Sequence, residues 1–110
     1  MPRDDATVVD ILRASHSATA FVQGMDLPAF LNDAKTQSAV LHQLLVVGEA
    51  VRRLSEELLG RYPDVPWRLM AGMRNKIVHE YDDVDLEEVW KTVRDDLPRL
   101  IEALETGPVR

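Results

Sequence analysis

The sequence predicts an all-α fold, an up-and-down bundle of four main helices and one short helix. Three observations support this class. Apolar residues recur every three or four positions, no segment alternates like a β-strand, and capping residues, glycines and prolines separate the periodic segments. With 110 residues, 45% of them hydrophobic and 29% charged, the chain is predicted to form a single domain over residues 1–110.

The first helix is predicted to run from an N-cap at Asp4 or Asp5 to about Gln23, with Gly24 ending it. His16 lies beside its apolar stripe, where a surface or partly buried histidine is expected. The stripe consists of Val8, Ile11, Leu12, Ser15, Ala18, Thr19 and Val22.

Residues 26–31 are predicted to form the short helix. Asp26 is its candidate N-cap, and Pro28 is tolerated in the first turn. Phe30 and Leu31 are expected to close one end of the core.

The longest helix is predicted from Ala34 to Leu59, capped by Asp33 and ended by Gly60. Its apolar face is so broad that we expect it to pack on more than one side, or against a second subunit. That face contains Val40, Leu41, Leu44, Leu45, Val47, Gly48, Val51, Leu54, Leu58 and Leu59.

Gly48 and Glu49 interrupt this apolar face. A glycine inside a helix costs about 1 kcal/mol relative to alanine, so Gly48 suggests the close approach of another helix. Glu49 has two interpretations, a solvated or capping carboxylate, or a supporting residue paired with an arginine such as Arg74.

Residues 61–67 are predicted to be a loop, because two prolines bracket Asp64 and Pro66 suits the first turn of the next helix. The apolar side of that helix is formed by Trp67, Leu69, Met70, Met73 and Ile77. Asp85, with Glu88 three residues on, resembles a capping box for the last helix. Pro98 is expected to kink this helix, and Gly107-Pro108 to end it.

The charge and composition exclude several classes of function. A net charge of -6 argues against broad binding to duplex nucleic acid, although residues 52–76 carry six basic side chains against three acidic ones. The absence of cysteine excludes disulfides and thiolate metal sites. No apolar run approaches the roughly 20 residues of a membrane span, and the acidic N-terminus does not resemble a signal peptide. A cytoplasmic protein without a membrane segment is therefore expected.

The segment from Met73 to Tyr81 holds the candidate site. At about 100° per residue, Asn75 and His79 fall together on the outer face of the predicted helix, and Arg74 lies at the rim of the buried face. A histidine that faces away from its own core contacts either water or another chain. If two copies met along this face, their Arg, Asn and His side chains would line one cleft.

Such a cleft suits phosphodiester cleavage without a metal. His79 can take a proton from a ribose 2′-hydroxyl or give one to the leaving 5′-oxygen, and Arg74 can neutralise charge on the phosphoryl oxygens. The internal 2′-hydroxyl nucleophile would restrict the substrate to RNA. Spacing alone also allows a solvated helix face with no catalytic role.

Three blocks of the sequence resemble the HepT-like HEPN proteins, over about residues 5–105. Residues 66–81 contain the family's Arg-x4-His-x-Tyr motif, and residues 47–55 its Gly-Glu-Ala segment. Residues 84–90 and 96–98 match its closing helix. The resemblance implies a helical bundle that dimerises, or forms a higher oligomer, so that two motifs share a cleft. It also implies a metal-independent endoribonuclease toxin that needs no cofactor.

The resemblance further implies a partner, a minimal nucleotidyltransferase antitoxin of the MntA type that modifies the motif tyrosine with AMP. Carried over to this chain, Arg74 and His79 would be catalytic, Asn75 would support them, and Tyr81 would be modified. The acidic segment after Tyr81 disfavours RNA electrostatically. Two alternatives are a non-catalytic adaptor for such a nucleotidyltransferase and a purely structural helical dimer.

Overall fold

A computed structural model describes residues 2–107, and within that range every regular element is helical. The all-α class is confirmed, with two short helices, α2 and α4, where one was predicted. The elements are α1 (Pro2–Phe21), α2 (Leu27–Leu31), α3 (Ala34–Arg52), α4 (Glu56–Arg61), α5 (Trp67–His79), a 3₁₀ turn (Tyr81–Asp83), α6 (Leu86–Lys91), a π-helical segment (Thr92–Asp96) and α7 (Leu97–Thr106).

Helix α3 is the centre of the bundle. It packs against both α1 and α5, while α7 packs against α1 and α6 packs against α2. This arrangement confirms the prediction that α3 is covered on more than one side. Because α3 is the main neighbour of α5, the rest of the α5 surface stays accessible, and the candidate site lies on that helix.

Local capping follows the sequence closely. Asp26 accepts a hydrogen bond from the backbone N–H of Ala29 at 3.0 Å, and Asp33 accepts one from Thr36 at 3.0 Å. Asp85 likewise caps α6, accepting from the backbone of Glu87 and Glu88. These three aspartates confirm the predicted starts of α2, α3 and α6.

The long helix predicted to reach Leu59 instead ends at Arg52. Ser55 starts α4 as its N-cap, since its Oγ accepts a hydrogen bond from the backbone N–H of Leu58 at 3.1 Å. Asp4 fixes this junction from α1, because its carboxylate accepts from the N–H (3.1 Å) and the Oγ (2.6 Å) of Ser55. The prediction that Asp4 or Asp5 caps α1 was therefore wrong. Gly60 lies inside α4 and does not end the helix.

Two predicted core residues lie at the surface. Leu31 and Leu69 are 38% and 41% exposed, whereas Phe30 is fully buried with its ring 5.3 Å from that of Trp90. Glu88 does not complete a capping box, because its carboxylate accepts from Lys76 Nζ at 2.6 Å.

The first and the last helix both end close to their predicted positions. Helix α1 ends at Phe21, and Gly24 adopts a positive φ of 78° in the turn that follows. The last helix continues through Pro98 as expected, with a π-helical segment just before it. Since proline has no N–H to give to the preceding turn, a wider turn there accommodates the missing bond. Gly107 ends the helix with φ 95°, and Pro108 lies outside the described residues.

Gly48 marks the point where α3 and α5 come closest. A Cβ atom at this position would overlap the Cβ of Arg74 and lie 3.0 Å from the carbonyl oxygen of Met70. Both neighbours belong to α5, and one is backbone, so neither can move away cheaply. The expected close approach of another helix is confirmed.

The substitution Gly48→Ala should destabilise the protein. Because the added Cβ meets both a Cβ and a backbone carbonyl of α5, the overlap should cost about 2–3 kcal/mol, more than the roughly 1 kcal/mol that alanine gains as a helix former. Gly60→Ala is the control, because nothing lies within 4 Å of a Cβ placed there and that change should be neutral or stabilising. Urea denaturation of the three proteins measures both effects. Equal or greater stability of Gly48→Ala would contradict the close contact.

Candidate active site

Arg74 has the most polar contacts of the candidate catalytic residues. Its side chain, only 24% exposed, leaves α5 next to Gly48, and its Nε forms an ion pair with Glu49 Oε1 of α3. Both atoms are inaccessible to solvent, although the N–H is not aligned for a hydrogen bond. Glu49 is also 3.8 Å from Arg52, in a more exposed contact. Of the two interpretations of Glu49, the structure supports a partner of Arg74.

Asn75 holds a second edge of the same guanidinium group. Arg74 Nη1 donates a hydrogen bond to Asn75 Oδ1 at 3.0 Å. Glu49 therefore pairs with Nε of the guanidinium, and Asn75 accepts one of the two hydrogen bonds that Nη1 can donate. Both N–H groups of Nη2 are left for a ligand. A guanidinium held in this way presents its remaining donors with little loss of side-chain entropy on binding.

His79 is the last residue of α5 and is exposed, as is Asn75 one turn earlier. On the opposite side of the helix Met70, Met73 and Ile77 are at most 3% exposed. The predicted division of α5 into a buried and an outer face is therefore confirmed. Among the described residues, no hydrogen bond or ion pair involves the imidazole of His79, so both ring nitrogens are available to a ligand or a second chain.

Tyr81 lies two residues beyond His79, at the start of the 3₁₀ turn, and is 49% exposed. The structure thus brings Arg74, Asn75 and Glu49 into direct contact. His79 and Tyr81 follow along the same segment without touching that cluster through any polar contact within the described residues. No group of three or more histidine or acidic side chains in residues 2–107 is arranged to hold a metal ion.

Comparison with known proteins identifies the family. Residues 11–106 match the family model described as ribonuclease HepT-like. The chain belongs to the HepT-like ribonuclease family. A Methanocaldococcus jannaschii protein named as a candidate RNase is 39% identical over 107 residues, covering 96% of this chain and 88% of the relative. A Thermococcus cleftensis protein named probable ribonuclease HepT is 40% identical over 91 residues, 83% of each chain. No solved structure gives a significant match.

Membership of this family confirms the resemblance drawn from the sequence and supports ribonuclease activity on RNA. A third relative, named as a candidate RNase of Caldanaerobacter subterraneus, is 35% identical over 79 residues, 72% of this chain and 70% of its own. Within the described part of the chain, no helix has the length and apolar character needed to cross a membrane.

Two further cations of this HepT-like ribonuclease, Lys76 and Arg68, lie on α5 with Arg74. Lys76 is already paired, because Glu88 accepts its hydrogen bond at 2.6 Å and raises the pKa of the lysine. Arg68 is exposed, and no ion pair to it occurs among the described residues. At about 100° per residue and with Met70 at 0°, Arg68 lies at about 160° around the axis of α5. This angle falls on the outer face, between Asn75 at about 140° and His79 at about 180°.

Sequence reasoning did not single out Arg68 as a site residue. The signal was its spacing, seven residues before Asn75 and eleven before His79, which places all three on one stripe of α5. The acidic side chains lie beyond the other end of the helix, at Glu80, Asp82 and Asp83, all exposed. Positive charge at the start of α5 is therefore separated along the helix axis from the negative charge that follows its end.

Proposed function

We propose that this HepT-like ribonuclease is a metal-independent endoribonuclease whose site is formed by Arg74, Asn75 and His79 and shared across a homodimer. The observation that carries the proposal is the restrained guanidinium of Arg74. Glu49 and Asn75 fix two of its edges and leave Nη2 free on the same helix as the accessible His79. A fixed cation beside a free imidazole suits a reaction that builds negative charge on a phosphoryl group.

The reaction begins with attack of the ribose 2′-oxygen on the adjacent phosphorus, and the bond from phosphorus to the 5′-oxygen breaks. One group removes the proton of the 2′-hydroxyl and another protonates the leaving 5′-oxygen, so the products are a 2′,3′-cyclic phosphate and a 5′-hydroxyl. Arg74 stabilises the charge on the non-bridging oxygens, and Asn75 keeps the guanidinium in place.

Two proton-transfer groups are needed at once, while the motif supplies a single histidine. A second copy of α5 would bring the second His79, which is the physical reason to propose a dimer. Leu69 and Val78 are 41% and 48% exposed on the two flanks of this outer face, where a second copy would cover apolar surface. A higher oligomer built from such dimers would preserve the same site.

We also propose that the protein is the toxin of a cytoplasmic toxin-antitoxin pair, neutralised by a nucleotidyltransferase of the MntA type that attaches AMP to Tyr81. The half-exposed phenol is open to such a partner. An adenylyl group would place a bulky anion two residues from His79. Repulsion from Glu80 and Asp82 would favour turning its phosphate towards Arg74, so that the modification competes with RNA for the same cation.

Cleavage of RNA in the presence of EDTA tests the proposed site. His79→Ala should reduce the rate by about 10²–10⁴-fold, the range for loss of a general acid or base. His16→Ala is the matched control, because His16 is an exposed histidine paired with Glu105 on another part of the bundle. Equal cleavage by wild type and His79→Ala would remove His79 from the mechanism.

Intact-mass analysis after incubation with the partner nucleotidyltransferase and ATP tests the role of Tyr81. Wild type should gain the mass of AMP and lose cleavage, whereas Tyr81→Phe should gain no mass and remain active. The net charge of -6 favours an alternative, a non-catalytic adaptor that only binds the nucleotidyltransferase. Modification of Tyr81 in a protein that never cleaves RNA would establish the adaptor instead.

A further inference from the structure

Tyr81 forms one wall of a groove between α3 and the segment that leads into α6. The groove has a volume of about 200 Å³. Its lining is divided between apolar side chains, among them Leu41, Val84 and Leu86, and the polar side chains of Gln37, Ser38 and Asp82. Tyr81 and Asp82 of its lining lie two and three residues after His79, the last residue of α5, and the proposed reaction does not use the groove.

The lining restricts what this groove can hold. No cation contributes to it, and Asp82 brings a negative charge, so a phosphate or carboxylate is disfavoured. The half-exposed phenol ring and the aliphatic side chains suit the apolar faces of a flat, neutral group, and Gln37, Ser38 and Asp82 suit polar atoms at its edge. An unpaired nucleobase has this chemistry, and stacking on an aromatic side chain is the usual way in which proteins hold single-stranded RNA.

We propose that the groove is a subsite for one unpaired base of the RNA substrate, with Tyr81 as its stacking platform. This inference rests on the proposed ribonuclease function. The phosphate next to the bound base would lie towards Arg74, away from Asp82, and the chain would continue along α5 towards Arg68. A base within a duplex is stacked and paired, so the subsite selects single-stranded segments or loops.

The subsite also explains why modification of Tyr81 would inactivate the enzyme. AMP attached to the phenol carries an adenine of its own, which can fill the groove without dissociating. The modified tyrosine would then block both the base subsite and Arg74 through one covalent group. Unmodified Tyr81 is a substrate-binding residue in this account, with no part in proton transfer.

Equilibrium binding measured by fluorescence anisotropy tests the subsite, with every protein carrying His79→Ala so that the RNA stays intact. The probes are a short labelled oligoadenylate and the same strand annealed to oligouridylate. Tyr81→Ala and Ser38→Phe should each weaken binding of the single strand by about 5- to 100-fold, the value of one stacked base. Ser38→Phe fills the groove from an exposed position of α3 and leaves Tyr81 in place.

Three matched controls accompany these variants. Tyr81→Phe keeps the ring and should bind the single strand like the parent protein. Ser38→Ala adds no volume to the groove, so it should bind the single strand far more tightly than Ser38→Phe. Phe21→Ala removes a similarly exposed aromatic ring from α1, 42% exposed against 49% for Tyr81, and should also be silent. The duplex should bind more weakly than the single strand in the parent and lose little further in Tyr81→Ala.

Unchanged affinity in both Tyr81→Ala and Ser38→Phe, or no binding of the single strand by the parent, would overturn the subsite. A change of oligomeric state in Ser38→Phe without a change in affinity would assign the groove to a contact between copies of the chain and also overturn it. The cleavage assay separates this outcome from failure of the proposed function. If cleavage depends on His79 but binding ignores the groove, only the subsite is wrong.

Discussion

The close contact between α3 and α5 at Gly48 is the constraint on which the candidate site depends. No side chain larger than hydrogen fits between the helices there, because the Cβ of Arg74 and the backbone of Met70 occupy the space. The residue after Gly48 then brings the Glu49 carboxylate against the guanidinium of Arg74. A glycine that weakens α3 on its own thus determines where the arginine of the motif lies.

This contact also fixes the orientation of α5 about its own axis. With Met70, Met73 and Ile77 buried and Arg74 at the rim, Asn75 and His79 can only face outward. The exposed imidazole of His79 does not pack in the core of its own chain, so it is accessible to a substrate or a second copy. Helix α5 therefore contributes both to the core and to the candidate site. Burial of its apolar residues stabilises the bundle and also determines that Asn75 and His79 face outward.

Local charge matters more for this site than the total of -6. Interactions between exposed charges fade beyond a Debye length of about 8 Å at physiological ionic strength. Arg68, which forms no ion pair among the described residues, therefore dominates at the start of α5, while the acidic side chains dominate after His79. Glu88 offsets the charge of Lys76 and ties α5 to α6, and Glu49 offsets part of the charge of Arg74.

Features set by neighbours in sequence could be predicted, and features set by distant contacts could not. The caps at Asp26, Asp33 and Asp85 and the two faces of α5 follow from local spacing. The break between α3 and α4 depends on Asp4, which is 51 residues from Ser55, and the sequence gives no sign of that pairing. The Glu49–Arg74 pair could be suggested but not decided, because only tertiary packing brings the two helices together. The second short helix and the exposure of Leu69 were missed for the same reason.

The contact of Glu49 with Arg74 is tested most directly by a double-mutant cycle on the free energy of unfolding, with Glu49→Gln and Arg74→Met. A second cycle pairs Glu49→Gln with Arg52→Met, where the ions are 3.8 Å apart and about half exposed. We expect a coupling energy of about 0.5–1.5 kcal/mol for Arg74 and about 0–0.3 kcal/mol for Arg52. A coupling near zero for Arg74, or one no larger than that of Arg52, would contradict the claim that Glu49 holds the arginine of the site.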